Sequence, residues 1–567
     1  MNDLNNGKDK TKYIWSRKYI CSRKCHIFWF IISMLVIGVF FLSLNTPDVA
    51  IKDEVAAIRQ QFKKLTHTEP CARRVHNNLT LWIAMTSWND KNRLHKALRS
   101  LDMQQKSFSN INTVVYEDIS ESMFSEDDKN SYENTVFLHQ LTDKNMGSAY
   151  SKYRMFEYIK LKSNPNDYVM VFDGDDVLHD DKVLLYIYET IISHKPWFMW
   201  GKISGKFEDQ CNSLPVKTNQ FRKYAKQMTH QIWPVCHPRI FKTGLLTNMS
   251  EEDFKNENQS WLQKATDRPF IFKFLEQAGD ERIHFLNKRE IYNYTWTKNN
   301  GLLRFAAKNI VGDRDYVNSR PVEKKLPEYL DIVTCMWKRR SELEFISSIM
   351  NSTLEKNHQI RLHICNNYQR FQYEREKIAK NFEHVTVHNM KENTFGFGRF
   401  ILANKIMQQF SIDYIIMIDD DMIVNNDTIL NVYKSRLPRT YSSWYGKNWQ
   451  VNQTNYWKPK HQLVASNPTL SLQQFPNTKT WQYGGTGMSI IDASIFLTDT
   501  LFECPTKYKN VEDLWLSYIV QLRGWEILRL FVNFKMNNKQ SVNGQWKDLQ
   551  MTKNHAFRDF GYLACKV

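Results

Sequence analysis

Two pairs of aspartates follow apolar runs of the chain and are placed to bind a metal ion. Asp173 and Asp175 follow the run YVMVF, and Asp419 and Asp421 follow the run YIIMI. Carboxylates two positions apart, just past the end of a strand, can turn toward each other and supply oxygen ligands to Mg²⁺ or Mn²⁺. Such a cation keeps positions open for phosphate oxygens and offsets the charge of a departing diphosphate.

A further acid follows each pair at the start of a predicted helix. Asp267 and Asp513 each lie 94 positions after the first aspartate of their pair, and Glu512 stands beside Asp513. An aspartate at a helix start is often only an N-cap, and an isolated Asp-Gly pair is often only a hairpin turn. Because the whole pattern occurs twice, we favour a catalytic role in which these acids take a proton from an attacking hydroxyl group.

The elements that position these acids also occur twice, in the same order. Strand-like runs open the two halves at 81–88 and 331–337, and a second strand in each half leads to Asp118 and to Asn366. Polar residues at strand ends are where α/β sheets bind ligands. The pattern predicts an α/β domain in each half.

Helix starts with glycine follow the second strand in both halves. Asn145 and Gly147 precede one predicted helix, and Gly398 and Arg399 precede another. Glycine allows a ligand to approach the backbone closely, and the start of a helix supplies N–H donors for anions.

This order of signals resembles the GT-A glycosyltransferases, in particular glycosyltransferase family 2, over residues 80–300 and 328–567. The segments CHPRIF at 236–241 and YGGTGMS at 483–489 are similar to the acceptor-side segment that follows the metal motif of that family. The segment VEDLW at 511–515 is similar to the family's Glu-Asp motif.

The resemblance implies an α/β fold of two tandem GT-A domains, each a nucleotide-diphospho-sugar transferase domain with a Rossmann-like mixed sheet. It implies an inverting transfer that needs Mn²⁺ or Mg²⁺, with Asp118 at the nucleoside base. The implied nucleotide-sugar contacts are Asp118, Asn145, Gly147, Asp173, Asn366, Gly398, Arg399, Asp419 and Gly485. The implied metal ligands are Asp173, Asp175, Asp419 and Asp421, and the implied catalytic acids are Asp267, Glu512 and Asp513.

Two positions depart from the family pattern. Asn366 and Asn367 stand in the second half where the first half has the strand-end acids Glu117 and Asp118. The first half has a threonine before Asp267, where the family pattern has Glu-Asp.

The N-terminal region predicts a membrane anchor. The uncharged apolar run at 27–44 is long enough to cross a bilayer, and the basic tail before it favours a cytosolic N-terminus. A cleaved signal peptide is the alternative, but the run is long and lacks a small-residue cleavage site. The expected order is a cytosolic tail (1–26), a signal-anchor (27–44), a stem (45–78), a first domain (79–300), a linker (301–327) and a second domain (328–567). This order predicts a single-pass type II protein of the Golgi or ER membrane with lumenal catalytic domains.

The distribution of charges and cysteines limits the kinds of partner that the sequence predicts. The formal net charge is +17, but basic and acidic residues are interleaved beyond the tail, so a nucleic-acid partner is not expected. No Cys-x-x-Cys pair occurs, which disfavours a thiolate zinc site. The expected partners are a nucleotide-diphospho-sugar donor, a glycan or glycoprotein acceptor and the membrane, while the oligomeric state is left open.

Two alternatives to a bifunctional enzyme remain at this stage. One half alone, more readily the C-terminal one, could be catalytic while the other binds the acceptor. The non-enzymatic alternative is a membrane-tethered, lectin-like adhesin whose aspartates bind Ca²⁺.

Overall fold

A computed structural model describes most of the chain beyond residue 78. The described residues are 79–88, 90–105, 107–118, 124–139, 145–204, 217–218, 221–222, 235–295, 310–338, 342–449, 455–459, 461–462, 480–532, 534–536 and 549–560. The predicted tail, anchor and stem (1–26, 27–44 and 45–78) lie outside these ranges. Within them, no helix combines the length and the apolar character that a bilayer crossing requires.

The first half is built on an eight-stranded mixed sheet. Its strands are β1 (Thr80–Ser87), β2 (Asn110–Glu117), β3 (Thr135–His139), β4 (Tyr168–Asp173), β5 (Val177–Leu178), β6 (Phe198–Ser204), β7 (Arg239–Lys242) and β8 (Ile283–Asn293). Their order across the sheet is β3-β2-β1-β4-β7-β6-β8-β5. Strands β3, β2, β1 and β4 are parallel, and β7 runs antiparallel to both of its neighbours, β4 and β6.

The second half contains a second eight-stranded sheet and two small ones. Its strands are β9 (Glu328–Met336), β10 (His358–Asn366), β11 (Val385–Asn389), β12 (Tyr414–Ile418), β13 (Met422–Val424), β14 (Thr440–Ser443), β15 (Gly446–Asn448), β16 (His461–Gln462), β17 (Thr480–Trp481), β18 (Tyr483–Gly484), β19 (Met488–Asp492), β20 (Glu526–Arg529) and β21 (Phe534–Met536). The large sheet has the order β11-β10-β9-β12-β19-β14-β20-β17, and the small sheets pair β13 with β21 and β15 with β16 and β18.

The two large sheets correspond strand by strand. In each sheet, the first three strands of the half lie side by side and parallel, in the order third, second, first. The fourth strand lies beside the first and parallel to it, and the next strand in the sheet runs antiparallel to the fourth. The remaining three strands also keep the same relative directions in both sheets. The edge strands differ in origin, because β5 follows β4 directly whereas β17 comes from a later part of its half. A mixed α/β fold built twice is therefore present, as the repeated sequence signals predict.

Helices cover both faces of each large sheet. They are α1 (Lys91–Asp102), α2 (Glu126–Asn130), α3 (Ser148–Lys162), α4 (Val183–His194), α5 (Arg268–Ala278), α6 (Ile310–Ser319), α7 (Glu342–Met350), α8 (Gln372–Ala379), α9 (Gly398–Met407), α10 (Thr428–Lys434), α11 (Asp499–Phe502), α12 (Glu512–Leu522) and α13 (Gln550–Asp559). Helix α6 lies inside the predicted linker 301–327, and its Val317 is buried in the core of the first half. The linker is thus partly helical, and the predicted domain boundaries stay a prediction.

The central strands are buried on both faces because their side chains alternate between two cores. Along β1, Leu81 and Ile83 pack with residues of α1 and α4, whereas Trp82 and Ala84 pack with residues of α3 and α5. Strand β12 alternates in the same way. A parallel strand covered on both faces reads as a continuous apolar run, which is why the runs before the two acidic clusters were visible in the sequence.

Polar contacts join the two halves beside the fourth strands. Lys242 Nζ, at the end of β7, lies 2.7 Å from Asp413 Oδ1, just before β12. The indole N–H of Trp197 donates to the other oxygen of Asp413 at 3.3 Å. Burial lowers the pKa of Lys242, although the negative charge of Asp413 acts to raise it. Both sheets belong to one compact unit, Ala72–Val567.

We predict that Asp413→Ala lowers the free energy of unfolding by about 3–5 kcal/mol, because it leaves the ammonium group of Lys242 buried without its counter-charge. Urea unfolding followed by circular dichroism measures this change. The matched control is Asp127→Ala, at an exposed aspartate of α2, which should change the free energy by less than about 0.5 kcal/mol. Equal effects of the two substitutions would show that this contact does not stabilise the fold.

Candidate functional site

Three carboxylates come together at the end of β4. The ligand oxygens of Asp173, Asp175 and Asp176 all lie within 4.8 Å of one another. Gly174 permits the turn, because its N–H donates to the carbonyl of Thr86 at 3.0 Å and a Cβ at this position would approach that oxygen to 2.7 Å. The predicted pair Asp173 and Asp175 is therefore brought together, and Asp176 joins it.

The environment of this cluster suits a divalent cation. Burial, together with the charges of the neighbouring carboxylates, raises the pKa of Asp175 to about 6 and that of Asp176 to about 8. Asp176 also accepts a hydrogen bond from the backbone N–H of Thr295 at 2.6 Å. Hard oxygen ligands whose charges repel one another fit Mg²⁺ or Mn²⁺, which would take the place of the bound protons. Within the described ranges, this is the one group of three or more acidic, histidine or cysteine side chains compact enough to hold a metal ion.

An imidazole joins the cluster from the loop before β7. His237 Nε2 lies 3.2 Å from Asp173 Oδ2 and 3.8 Å from Asp267 Oδ2. Its ring stacks on Tyr292 with the centroids 5.5 Å apart, and the Tyr292 hydroxyl accepts the backbone N–H of Asp173 at 3.1 Å. A single side chain thus bridges the strand-end acid and the helix-start acid.

Asp267 is held by two cations. Lys152 Nζ lies 2.7 Å from one carboxylate oxygen, and Arg239 Nη1 lies 2.8 Å from the other. Burial alone would raise the pKa of Asp267, but the charges of Arg239 and Lys152 outweigh it and hold the pKa well below the usual range. The carboxylate makes no capping hydrogen bond at the start of α5. Because of these ion pairs, Asp267 takes up a proton poorly. It holds the side chains of Lys152 and Arg239 beside the acidic cluster.

Asp118 shapes the loop that leads into α3. Its carboxylate accepts the backbone N–H groups of Met146 at 3.3 Å and Gly147 at 3.0 Å. Gly147 has a φ of +88°, a conformation that L side chains rarely adopt, so the glycine is required there. Asn145 is exposed at the beginning of the same described segment. Asp118, just after β2, therefore holds the loop that carries Asn145 and Gly147 beside the end of that strand.

The second half arranges its acids around a guanidinium group. Arg399, in the first turn of α9, places Nη2 3.0 Å from Asp419 Oδ1 and 3.8 Å from Glu512 Oε1. Arg399 is buried, whereas the side chain of Asp419 is 40% exposed. Within the part of the chain that the structure describes, no third acidic, histidine or cysteine side chain completes a metal-sized group with Asp419 and Asp421. The predicted pair thus differs from its counterpart in the first half.

Glu512 is buried at the start of α12. Burial raises its pKa to about 7 against the opposing charge of Arg399, and the charge of Asp513 adds to the rise. Its carboxylate packs on Gly396, where a Cβ would lie 2.0 Å from Oε1 and would displace the carboxylate. A carboxylate with a pKa near 7 can exchange a proton at neutral pH.

Asp513 points into a different set of contacts. Its carboxylate accepts the hydroxyl of Tyr483, and Lys553 Nζ lies 3.1 Å away. Burial would raise the pKa of Asp513, but the charge of Lys553 and the Tyr483 hydrogen bond lower it. Glu512, and not Asp513, is therefore the residue that faces Asp419 through Arg399.

The strand register shows which residues correspond at the ends of the second strands. Met336 of β9 pairs with Asn366, as Ser87 of β1 pairs with Glu117, so the counterpart of Asp118 is Asn367. Asn367 bonds the loop before α9: its Oδ1 accepts the hydroxyl of Thr394 at 2.8 Å, and its Nδ2 donates to Phe395 O at 2.7 Å. Asn366 is instead bonded to the guanidinium of Arg375.

The two remaining predicted residues are glycines in close contacts. At Gly398 a Cβ would lie 2.3 Å from Thr394 Oγ1, and at Gly485 it would lie 3.0 Å from Tyr445. Both glycines let the chain pack tightly beside the second site.

Several residues that complete the sites were not singled out from the sequence. Lys152, Tyr292 and Lys553 reach the sites from elements far along the chain, so spacing alone carried no signal for them. His237 and Arg239 lie in the segment 236–241 that resembles the acceptor-side segment, but their contacts with Asp173 and Asp267 depend on tertiary packing, as does the contact of Gly396 with Glu512. Asp176, which adjoins Asp175, could have been found by extending the motif.

Comparisons with known proteins give a remote structural similarity. No family model matches the chain, and no curated protein matches it by sequence. Crystal structures of S. aureus TarS 1–349, alone and in complex with UDP-GlcNAc, align at 16% identity with TM-scores of 0.29 and 0.32. They cover 38% and 40% of this chain and 60% and 62% of the TarS chains, so the match spans less than two thirds of either structure. Values this low do not decide what the chain does, so its function has to be inferred from the two sites.

Proposed function

We propose that the chain is a glycosyltransferase that binds nucleotide-diphospho-sugars and transfers the sugar to a glycan or glycoprotein acceptor. One observation carries the proposal. In each half, one basic side chain contacts two acids: the acid at the end of the fourth strand and the acid at the start of a distant helix. This side chain is His237 in the first half and Arg399 in the second. In the second half, a strand-end anion beside Glu512, a carboxylate able to take a proton, suits transfer of a group from a diphosphate to a hydroxyl.

In the second half, Glu512 is the proposed general base. It is buried and has a pKa of about 7, and the guanidinium of Arg399 lies between its carboxylate and that of Asp419. Arg399 fixes the carboxylates of Glu512 and Asp419 relative to each other. Asp513 holds Lys553 and Tyr483 in place and does not take the proton.

In the first half, Asp173, Asp175 and Asp176 would hold Mn²⁺ or Mg²⁺, with His237 beside them. When bound, the cation would offset negative charge on the donor diphosphate. Asp267 keeps Lys152 and Arg239 next to this site, where their charges favour an anionic ligand.

A second candidate assigns transfer to the second half alone and donor or acceptor binding to the first. The pairing of Asp267 favours it, because a carboxylate between Lys152 and Arg239 takes up a proton poorly. The two candidates differ in how many products the chain makes.

The membrane placement is part of the same proposal. The apolar run at 27–44 and the basic tail before it support a type II protein with both sites in the Golgi or ER lumen. Nucleotide sugars and glycan acceptors would then meet the two sites in that compartment.

We predict that the purified chain transfers sugar from at least one member of a panel of UDP-, GDP- and TDP-linked sugars. Glu512→Gln should slow the product of the second half by about 10²–10⁴-fold, because the amide cannot take a proton. If both halves are enzymes, Asp173→Asn should abolish a different product. Chromatography and mass spectrometry of the products measure both effects.

The matched controls are Glu344→Gln and Asp127→Asn, at exposed positions of α7 and α2, which should leave all products unchanged. Absence of transfer and of nucleotide-sugar hydrolysis with every donor, in the presence of Mn²⁺, would reject the glycosyltransferase. If Asp173→Asn leaves all products unchanged while Glu512→Gln makes none, the result supports the second candidate.

The pH dependence separates Glu512 from Asp513. We predict that kcat/KM of the second half rises about tenfold per pH unit below pH 7 and levels off above it, because Glu512 must lose its proton to act as a base. Asp513→Asn removes a negative charge that raises the pKa of Glu512, so the midpoint should move to lower pH with the activity retained. A uniform loss of activity at all pH values in Asp513→Asn would instead identify Asp513 as the base.

A further inference from the structure

The two acidic sites differ in where their positive charge comes from. In the first half, Lys152, near the start of α3, pairs with Asp267 and not with Asp173, and the guanidinium of Arg93 on α1 lies 3.6 Å from Asp175 Oδ2. In the second half, Arg399, near the start of the corresponding helix α9, pairs with Asp419 at 3.0 Å. The basic side chain from this helix therefore pairs with the helix-start acid in the first half and with the strand-end acid in the second half.

Arg399 is fixed in this position. Its Nε donates to the carbonyl of Gly396 and its Nη1 to that of Thr486, each at 3.2 Å, while Nη2 lies next to Asp419 and Glu512. The residue is buried, so moving it aside would leave two carbonyls and a buried carboxylate without their partner.

The space around Asp419 is restricted on its other side too. A Cβ on Gly487 would lie 2.7 Å from Asp419 Oδ2, so this oxygen packs against the chain while Oδ1 faces the guanidinium. A second buried guanidinium, that of Arg375, is near enough to Asp420 for the two charges to interact. A divalent cation at Asp419 would have to share these carboxylates with fixed positive charges, and like charges repel.

We propose that the second site binds its nucleotide-diphospho-sugar without a metal ion, and that the guanidinium of Arg399 is its permanent cation. Only the first site, built from Asp173, Asp175 and Asp176, takes Mn²⁺ or Mg²⁺. The inference rests on the proposed function, because it assigns a donor diphosphate to both halves. It is an alternative to the prediction from sequence that Asp419 and Asp421 are metal ligands, and the experiments below decide between the two.

Metal stoichiometry tests the inference without any activity assay. The purified full-length chain is titrated with Mn²⁺, and free Mn²⁺ is measured by electron paramagnetic resonance. We expect one bound Mn²⁺ per chain, none in the Asp173→Asn/Asp175→Asn double variant, and one in Asp419→Asn. Two bound Mn²⁺ per chain, with one lost in Asp419→Asn, would overturn the inference.

Nucleotide binding separates failure of the inference from failure of the proposed function. UDP and GDP are titrated calorimetrically into the full-length chain, first with Mn²⁺ and then with excess EDTA. We expect two sites with Mn²⁺ and one with EDTA, and the EDTA-resistant site should lose at least tenfold in affinity in Arg399→Gln and recover partly in Arg399→Lys. Loss of both sites in EDTA would overturn the metal-free second site while leaving the transferase intact.

Absence of binding of either nucleotide even with Mn²⁺ would reject the proposed function itself, and the inference with it. Thermal melts of the variants show whether each one is folded. Asp173→Asn serves as the reciprocal control, since it should leave the EDTA-resistant site unchanged.

Discussion

The concentration of negative charge at the end of each fourth strand is the constraint on which both sites depend. Carboxylates gathered in a partly buried place cannot all stay ionised without a compensating charge. In the first half, the guanidinium of Arg93 lies 3.6 Å from Asp175 Oδ2 and offsets only part of the charge of the three carboxylates, so the pKa of Asp176 still rises to about 8 and the site is prepared for a cation. The second half compensates Asp419 with Arg399. The two halves therefore share an architecture and differ in electrostatics.

The sheet explains why residues so distant along the chain meet. Strands β4 and β12 lie between parallel and antiparallel neighbours, so the loop after each one opens at the sheet edge where α5 and α12 begin. At the glycines 174 and 396, backbone or carboxylate atoms occupy the space of a side chain. Lys242 and Asp413 join the halves just before the fourth strands, which ties the two sheets together beside the elements that carry the acids.

The repeated fold could be predicted from the sequence because parallel strands covered on both faces leave apolar runs that end in polar residues. The cluster at 173–175 could be predicted for the same reason. The charge partners could not, because Lys152, His237 and Lys553 reach the sites from elements whose contacts depend on tertiary packing. The choice between Glu512 and Asp513 also needed the structure, since adjacent residues at a helix start point in different directions.

The central claim is that each half holds its own nucleotide-diphospho-sugar beside its acidic strand end. A crystal structure of the chain with UDP and Mn²⁺, with data collected at the manganese absorption edge, tests it most directly. The account predicts a diphosphate in both halves, an anomalous peak among Asp173, Asp175 and Asp176, and none at Asp419. Diphosphate density in neither half, or a nucleotide bound away from both acidic strand ends, would contradict it.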